Sequence, residues 1–187
     1  MRGGLRAARG EGGGILIIES QTSCSLRGGS PWCTIEGIGC RQSVAATPLD
    51  GDAHAIASAI EKTLHEAKCE ASDIDAIVPL GAGILETDRA EKDALVAVFG
   101  DGLPNIPIIT TIPYTGNCMA GNGAICIAVA AKALREQMIP ARLGAQVTDG
   151  IAAARCDATQ TNIERILIVT PSEGGQCVAM VLKRWAS

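Results

Sequence analysis

The chain has 187 residues, 47% of them hydrophobic and 19% charged, with a net charge of −4 and a pI near 5.2. That length suits one sizeable domain rather than two, and that balance excludes a generally disordered chain. The acidic charge, with Trp32, Phe99, Tyr114 and Trp185 as the full aromatic set, removes the basic groove and the stacking platforms of nucleic-acid binding. The first nine residues are basic but too short and serine-poor for a transit peptide. No apolar run reaches the roughly 18 residues that span a bilayer, so a soluble, cytoplasmic protein is expected.

Residues 15–19, a β-branched run after glycines, predict a strand. Residues 21–47 read as irregular, with turns at Gly28-Gly29 and Ser30-Pro31 and a second strand over 32–39. A helix begins at Asp52, with Ile56, Ile60, Leu64 and Ala67 on one face and Glu61, Lys62, Glu66 and Lys68 on the other. A short buried strand follows at 76–78. The next helix spans 86–99, capped by Thr87 or Asp88 and stopped by Gly100-Asp101-Gly102. A strand is expected over 106–112 and a long helix over 119–137. The helix segment 123–131 is apolar on every side, which requires burial inside the protein or under another subunit. Strands at 163–169 and 178–181, joined across 171–175, form a closing hairpin. Strands alternating with helices imply a largely parallel sheet with an antiparallel edge, an α/β layered fold.

The local chemistry is sparse. The eight cysteines contain no Cys-x-x-Cys pair, and His54 and His65 are the only imidazoles. No metal site and no cofactor are expected, and the thiols read as free, mostly buried small hydrophobes. Gly81-Ala82-Gly83 after a strand imitates a dinucleotide fingerprint, but Glu86 stands at the third glycine position and Pro79 sits in the strand. Phosphate-loop and Gly-x-Ser-x-Gly motifs are absent, and both histidines lie on the first long helix as solvated residues. Glu86, Asp88, Glu91 and Asp93 read as carboxylates complementing the start of a helix.

In order along the chain, several segments resemble the C-terminal half of β-ketoacyl-acyl-carrier-protein synthases. Gly10-Glu11-Gly12-Gly13-Gly14 with its following apolar run is similar to that family's Gly-Glu-Gly-Ala-Gly plus strand, and Ser25-Leu26-Arg27-Gly28-Gly29 to its Arg-Gly-Ala segment. The family's His-Gly-Thr-Gly-Thr motif falls on Leu80-Gly81-Ala82-Gly83-Ile84, with its trailing Asp and Glu on Asp88 and Glu91. Its Gly-His segment falls on Gly116-Asn117, and its terminal Gly-Phe-Gly-Gly-x-Asn turn on the stretch around Gly174-Gly175.

The resemblance implies a thiolase-like layered fold: a mixed sheet, a buried helix and a C-terminal β-hairpin. Residues 1–20 would be a remnant strand of the family's N-terminal half, and 21–187 the ketosynthase C-terminal-like domain. In that family a cysteine on the N-terminal half carries the acyl chain, and two histidines stabilise the charge developed during decarboxylation. Here the positions of the two histidines and the lysine hold Leu80, Asn117 and Ile112, while the closing Phe and Asn fall on Glu173 and Cys177. Asn117 donates a hydrogen bond but carries no proton at neutral pH. Candidate substrate contacts are therefore Asn117, Cys118, Glu173, Gly174, Gly175 and Cys177, with no confident catalytic residue.

Cys118, at a helix start, is either a thiol of lowered pKa or ordinary packing. The function implied is a non-catalytic, chain-length-factor-like partner subunit, or a half-enzyme without its nucleophile, in fatty-acid or polyketide biosynthesis. Its partner would be a ketosynthase-like subunit or a second copy, and an acyl carrier protein beside them, with no nucleic acid and no membrane. The alternatives are a divergent condensing enzyme or acyltransferase using Cys118 or Cys177, and an acyl-group or carrier-protein binding module.

Overall fold

The computed structural model describes residues 9–43, 52–142, 151, 157–172 and 174–185. The elements in chain order are α1 (Gln21–Leu26), β1 (Cys33–Gln42), α2 (Ala53–Ala67), β2 (Ala76–Val78), α3 (Leu85–Phe99), α4 (Ile112–Thr115), α5 (Asn122–Glu136), β3 (Met138–Ile139), β4 (Thr159–Gln160), β5 (Arg165–Pro171) and β6 (Gln176–Arg184). Short 3₁₀ turns cover Ala71–Asp73, Gly100–Asn105 and Met119–Gly121.

Four strands form a mixed sheet in the order β1-β6-β5-β2. β2 runs parallel to β5, with Ile77 opposite Leu167, while β6 lies antiparallel to both β5 and β1. A bulge between Ile35 and Gly37 breaks the register of β1, an edge strand. β3 and β4 form a separate two-stranded ribbon.

The sheet is covered on both faces. Ile77, Leu167, Val169, Ala179 and Val181 pack with Ile56, Ile60 and Leu95 of α2 and α3. Ala76, Val78, Ile166, Ile168 and Leu182 pack on the other side with Cys126, Ala130 and Leu134 of α5. Double coverage explains why β2 and β5 read as unbroken apolar runs rather than alternating ones. Polar side chains tie the layers. Asp75 Oδ2 accepts from the N–H groups of Glu164 (2.7 Å) and Arg165 (2.9 Å), seating β5 beside β2. Thr63 Oγ1 donates to the carbonyls of Ala59 (2.8 Å) on α2 and Ala179 (3.1 Å) on β6.

Several expected elements are found with shifted ends. The helix from Asp52 is α2, and Asp52 caps it by accepting from His54 N (3.0 Å) and Ala55 N (3.1 Å). The hairpin is β5–β6, and the strand expected at 32–39 is β1, longer by three residues at its end. The long helix starts at Asn122 rather than 119, after a 3₁₀ turn. Its apolar segment buries Cys126, Ala130 and Ala131 but leaves Ala128 exposed.

Other expectations are overturned. Residues 15–19 form no strand: Ile15, Ile17 and Ile18 are 96%, 91% and 71% exposed, and none of the described strands lies beside them. Residues 106–112 contribute only a parallel bridge from Ile108 to Ile77, because Pro107 lacks an N–H and the chain turns into α4 at Ile112, before Pro113. Within the stretch read as irregular, α1 forms, with Ser20 as its N-cap and an ion pair between Arg27 and Glu19 beside it. Neither Thr87 nor Asp88 caps α3, whose N-cap is Ile84.

The Leu80 turn and the Asn117 loop as a candidate functional site

β2 and β5 are parallel, so the segments that follow them emerge at one end of the sheet. After β2, Gly81 and Gly83 take positive φ, +55° and +74°. This left-handed backbone, open to glycine without strain, turns consecutive N–H groups toward α3. Glu91 accepts them: Oε1 from Leu80 N at 2.8 Å and Oε2 from Gly81 N at 3.0 Å. Asp88 Oδ1 accepts from Gly83 N at 3.2 Å. Two carboxylates that the sequence reading assigned to a helix end thus reach back and hold the turn. The amides a pyrophosphate would need are already occupied, which removes the dinucleotide reading on structural grounds.

Glu91 is 3% exposed. Burial pushes its carboxyl up to about 7, against the opposing pull of the two amides, and the nearby Asp88 charge adds to the rise. Asp88 is raised by burial too. Leu80, which the resemblance sets at the family's first histidine, is half-buried and brings no side-chain donor.

The second loop is built from α4 to the start of α5. Ile112, buried, opens α4, and Gly116 N closes it on the Ile112 carbonyl at 2.8 Å. Thr111 Oγ1 and Cys126 Sγ meet at 3.6 Å beneath it. Asn117 Oδ1 accepts from Met119 N (2.9 Å) and from Asn122 Nδ2 (2.7 Å), and Asn122 Oδ1 accepts from Cys118 N (2.9 Å). Met119 takes φ +53°, strained for a side-chain-bearing residue.

The glycine-rich segment 10–14 crosses this loop backbone to backbone. Gly10 N donates to the Asn117 carbonyl at 3.0 Å. A methyl group on Gly10 would run into the Thr115 carbonyl, and one on Gly121 into the Gly12 carbonyl, so the crossing requires glycine on both chains. Cys118 is buried there, its Sγ 3.6 Å from the carbonyl oxygens of Thr115 and Gly116.

Cys177 lies at the start of β6, 2% exposed, in the core against α2 and α3. Burial drives its thiol up to about 12, with a smaller push from Glu91, so thiolate is scarce at neutral pH. Gly174 and Gly175 belong to the β5–β6 turn and face the end of β1: Gln42 Nε2 donates to Gly174 O (2.8 Å) and Ser43 N to Gly175 O (2.7 Å). Glu173 lies outside the described residues. The structure therefore gathers Leu80, Ile112, Asn117 and Cys118 on two adjacent loops, with Thr110 beside Gly81, and sets Gly174 and Gly175 against β1.

The sequence reading gave no role to Asn122. Its signal was a single polar side chain opening an otherwise small-residue, apolar helix. The seven described cysteines are all free, and no group of three metal-ligating side chains occurs among the described residues. Among them too, no helix is long and apolar enough to cross a membrane.

A mixed sheet sandwiched between helices, with its loops gathered at one strand end, defines an α/β protein of the thiolase-like class. The comparisons agree. The structure of the ishigamide ketosynthase/chain length factor superposes with a TM-score of 0.89 at 24% identity, over 99% of this chain and 46% of that one. The family model "Beta-ketoacyl synthase, C-terminal domain" matches residues 32–146. The chain belongs to the β-ketoacyl synthase family, through its C-terminal domain.

Among curated relatives, the granaticin polyketide putative beta-ketoacyl synthase 2 of Streptomyces violaceoruber is 37% identical over 71% of this chain and 30% of its own length. The tetracenomycin polyketide synthase ketoacyl synthase beta subunit of Streptomyces glaucescens is 30% identical over 94% of this chain and 43% of its own. The chain thus spans less than half the length of the curated relatives it matches.

Proposed function

We propose that this chain is a chain-length-factor-like component of a polyketide-assembling β-ketoacyl synthase, acting in the cytoplasm as a non-condensing partner rather than as the acyl-transferring centre. The observation that carries the reading is the donor set at the two loops. Leu80 and Ile112 offer no side-chain hydrogen bond, and Asn117 offers one without a transferable proton. Loss of one oxyanion donor costs about a hundredfold to a thousandfold in rate, and three positions depart together. The beta-subunit relative named above is similar over nearly the whole chain, which supports the same assignment.

Residues 15–18 supply the docking element. Four consecutive large aliphatic side chains, with Ile15, Ile17 and Ile18 at 96%, 91% and 71% exposure, match a strand that belongs in the sheet of an N-terminal ketosynthase half. That half carries the nucleophile, and an acyl carrier protein delivers the chain to the completed assembly.

The test is purification of the tagged chain from its native cell. A ketosynthase chain or an acyl carrier protein recovered near one-to-one, and lost with Ile17→Asp, is expected. A monodisperse monomer at micromolar concentration that condenses malonyl thioesters alone would overturn the proposal.

A further inference from the structure

The pair Asn117–Asn122 has a property that neither residue has alone. A side-chain amide has two orientations of nearly equal shape and opposite chemistry, and the surroundings select between them. The Cys118 N–H, 2.9 Å from Asn122, admits only an oxygen, so Asn122 places Oδ1 there and Nδ2 on its other side. That Nδ2 lies 2.7 Å from Asn117 and requires an oxygen in turn. The Met119 N–H, at 2.9 Å, donates to the same oxygen. Two backbone donors thus fix both amides in series. Asn117 Oδ1 is consumed within the loop, and its Nδ2 has no hydrogen-bond partner among the described residues.

We propose that Asn122 is a positioning residue that holds the Asn117 amide in one orientation, so that the loop presents a single uncharged NH₂ group suited to a carbonyl oxygen.

A purely structural cap would need only the oxygen. At the start of α5 an aspartate would serve that purpose and suit the helix dipole better. Asn122 is instead an amide, 5% exposed, whose second half is spent on Asn117. The loop is also strained where it is held: Met119, whose N–H the pair binds, is the one residue of the loop with a side chain in the left-handed region. The positioning rests on geometry alone; that the acceptor is an acyl carbonyl rests on the function proposed above.

The experiment uses the full chain, ¹⁵N-labelled, and reads hydrogen exchange of the side-chain amides at neutral pH, with circular dichroism as the check on folding. In the wild type one Asn122 Nδ2 proton exchanges slowly and the Asn117 pair exchanges freely. Asn122→Asp keeps the acceptor for Cys118 N–H and removes the donor. The new carboxylate repels Asn117 Oδ1, and its charge-assisted bond outweighs the neutral one from Met119 N–H, so the Asn117 amide turns its Nδ2 toward it and its exchange slows about tenfold, the scale of one hydrogen bond. Asn122→Ser, with a hydroxyl that donates and accepts, restores free exchange.

Asn117 exchange unchanged by Asn122→Asp overturns the positioning role. Where that variant does not fold, Asn117→Leu gives the second reading: the slow Asn122 proton becomes fast, and its persistence overturns the proposal. Added acetoacetyl N-acetylcysteamine thioester shifts the Asn117 side-chain resonances in the wild type and in Asn122→Ser, and not in Asn122→Asp. If the exchange results hold and no thioester shift occurs, the positioning role stands and the acyl-carbonyl acceptor is ruled out.

Discussion

Two segments of this molecule are nearly the same in sequence and opposite in fate. Residues 15–18 read Ile-Leu-Ile-Ile and residues 166–169 read Ile-Leu-Ile-Val. The second set forms the middle of β5, with every side chain buried and β2 and β6 hydrogen-bonded on either side. The first has no ladder partner among the described strands, and its three isoleucines are largely in solvent. Local preference is the same in both, so it cannot be what separates them. Availability of a neighbouring backbone and of helices for both faces decides, and β5 finds all of these within the chain. An aliphatic run left uncovered in this way is what the proposed docking site rests on.

The comparison breaks first on a charge placed in each run. Leu167→Asp puts an unpaired carboxylate between two helical layers and costs about 5 kcal/mol, enough to leave no folded protein, as urea denaturation would show. The pH axis sharpens the contrast, since the folded body encloses a titrating group. Glu91 stands at about 7 in the fold against an ordinary 4.5, so the folded state holds the proton more tightly than the unfolded one. Its contribution to stability is full below pH 4.5 and is lost as the pH rises to about 7. The wild type should therefore lose roughly 3 kcal/mol relative to Glu91→Gln across that window. Urea midpoints of both proteins, taken as a function of pH, check it; parallel curves would refute the assignment.

Thr110 tests how closed the body is. Its hydroxyl is buried without a partner among the described residues, so Thr110→Val should leave stability unchanged or raise it by about 1 kcal/mol. The smallest effect belongs to the exposed segment: Ile17→Asp should move the stability of the isolated chain by less than about 0.5 kcal/mol. A larger loss would mean that residues 15–18 already pack on the body.

What could be read from the sequence follows the same division. α2 was legible because its apolar spacing and the Asp52 cap are local, and β2, β5 and β6 because β-branched runs between turn residues are local too. Residues 15–19 have that signature without the neighbours that make a strand. Residues 106–112 carry aliphatics at strand density, yet Pro107 and the turn into α4 reduce them to one bridge.

The resemblance pointed to Leu80 and Asn117, but not to what holds them. Glu91 looked like a helix-end charge because its partners are backbone amides of Leu80 and Gly81, which no side-chain pattern displays. Asn122 was silent for the same reason: half of its work is done on the Cys118 N–H. Side chains that bind backbone leave no complementary residue to find.

The crossing of residues 10–14 over the Asn117 loop has a mechanical consequence. The strand-like run begins immediately after Gly14, and Gly10 is bonded to the Asn117 carbonyl. Whatever seizes Ile15–Ile18 holds a short tether whose other end is fastened to the loop itself. On the docking proposed above, a partner at these residues would be joined to Asn117 through about four residues of chain, without passing through the core.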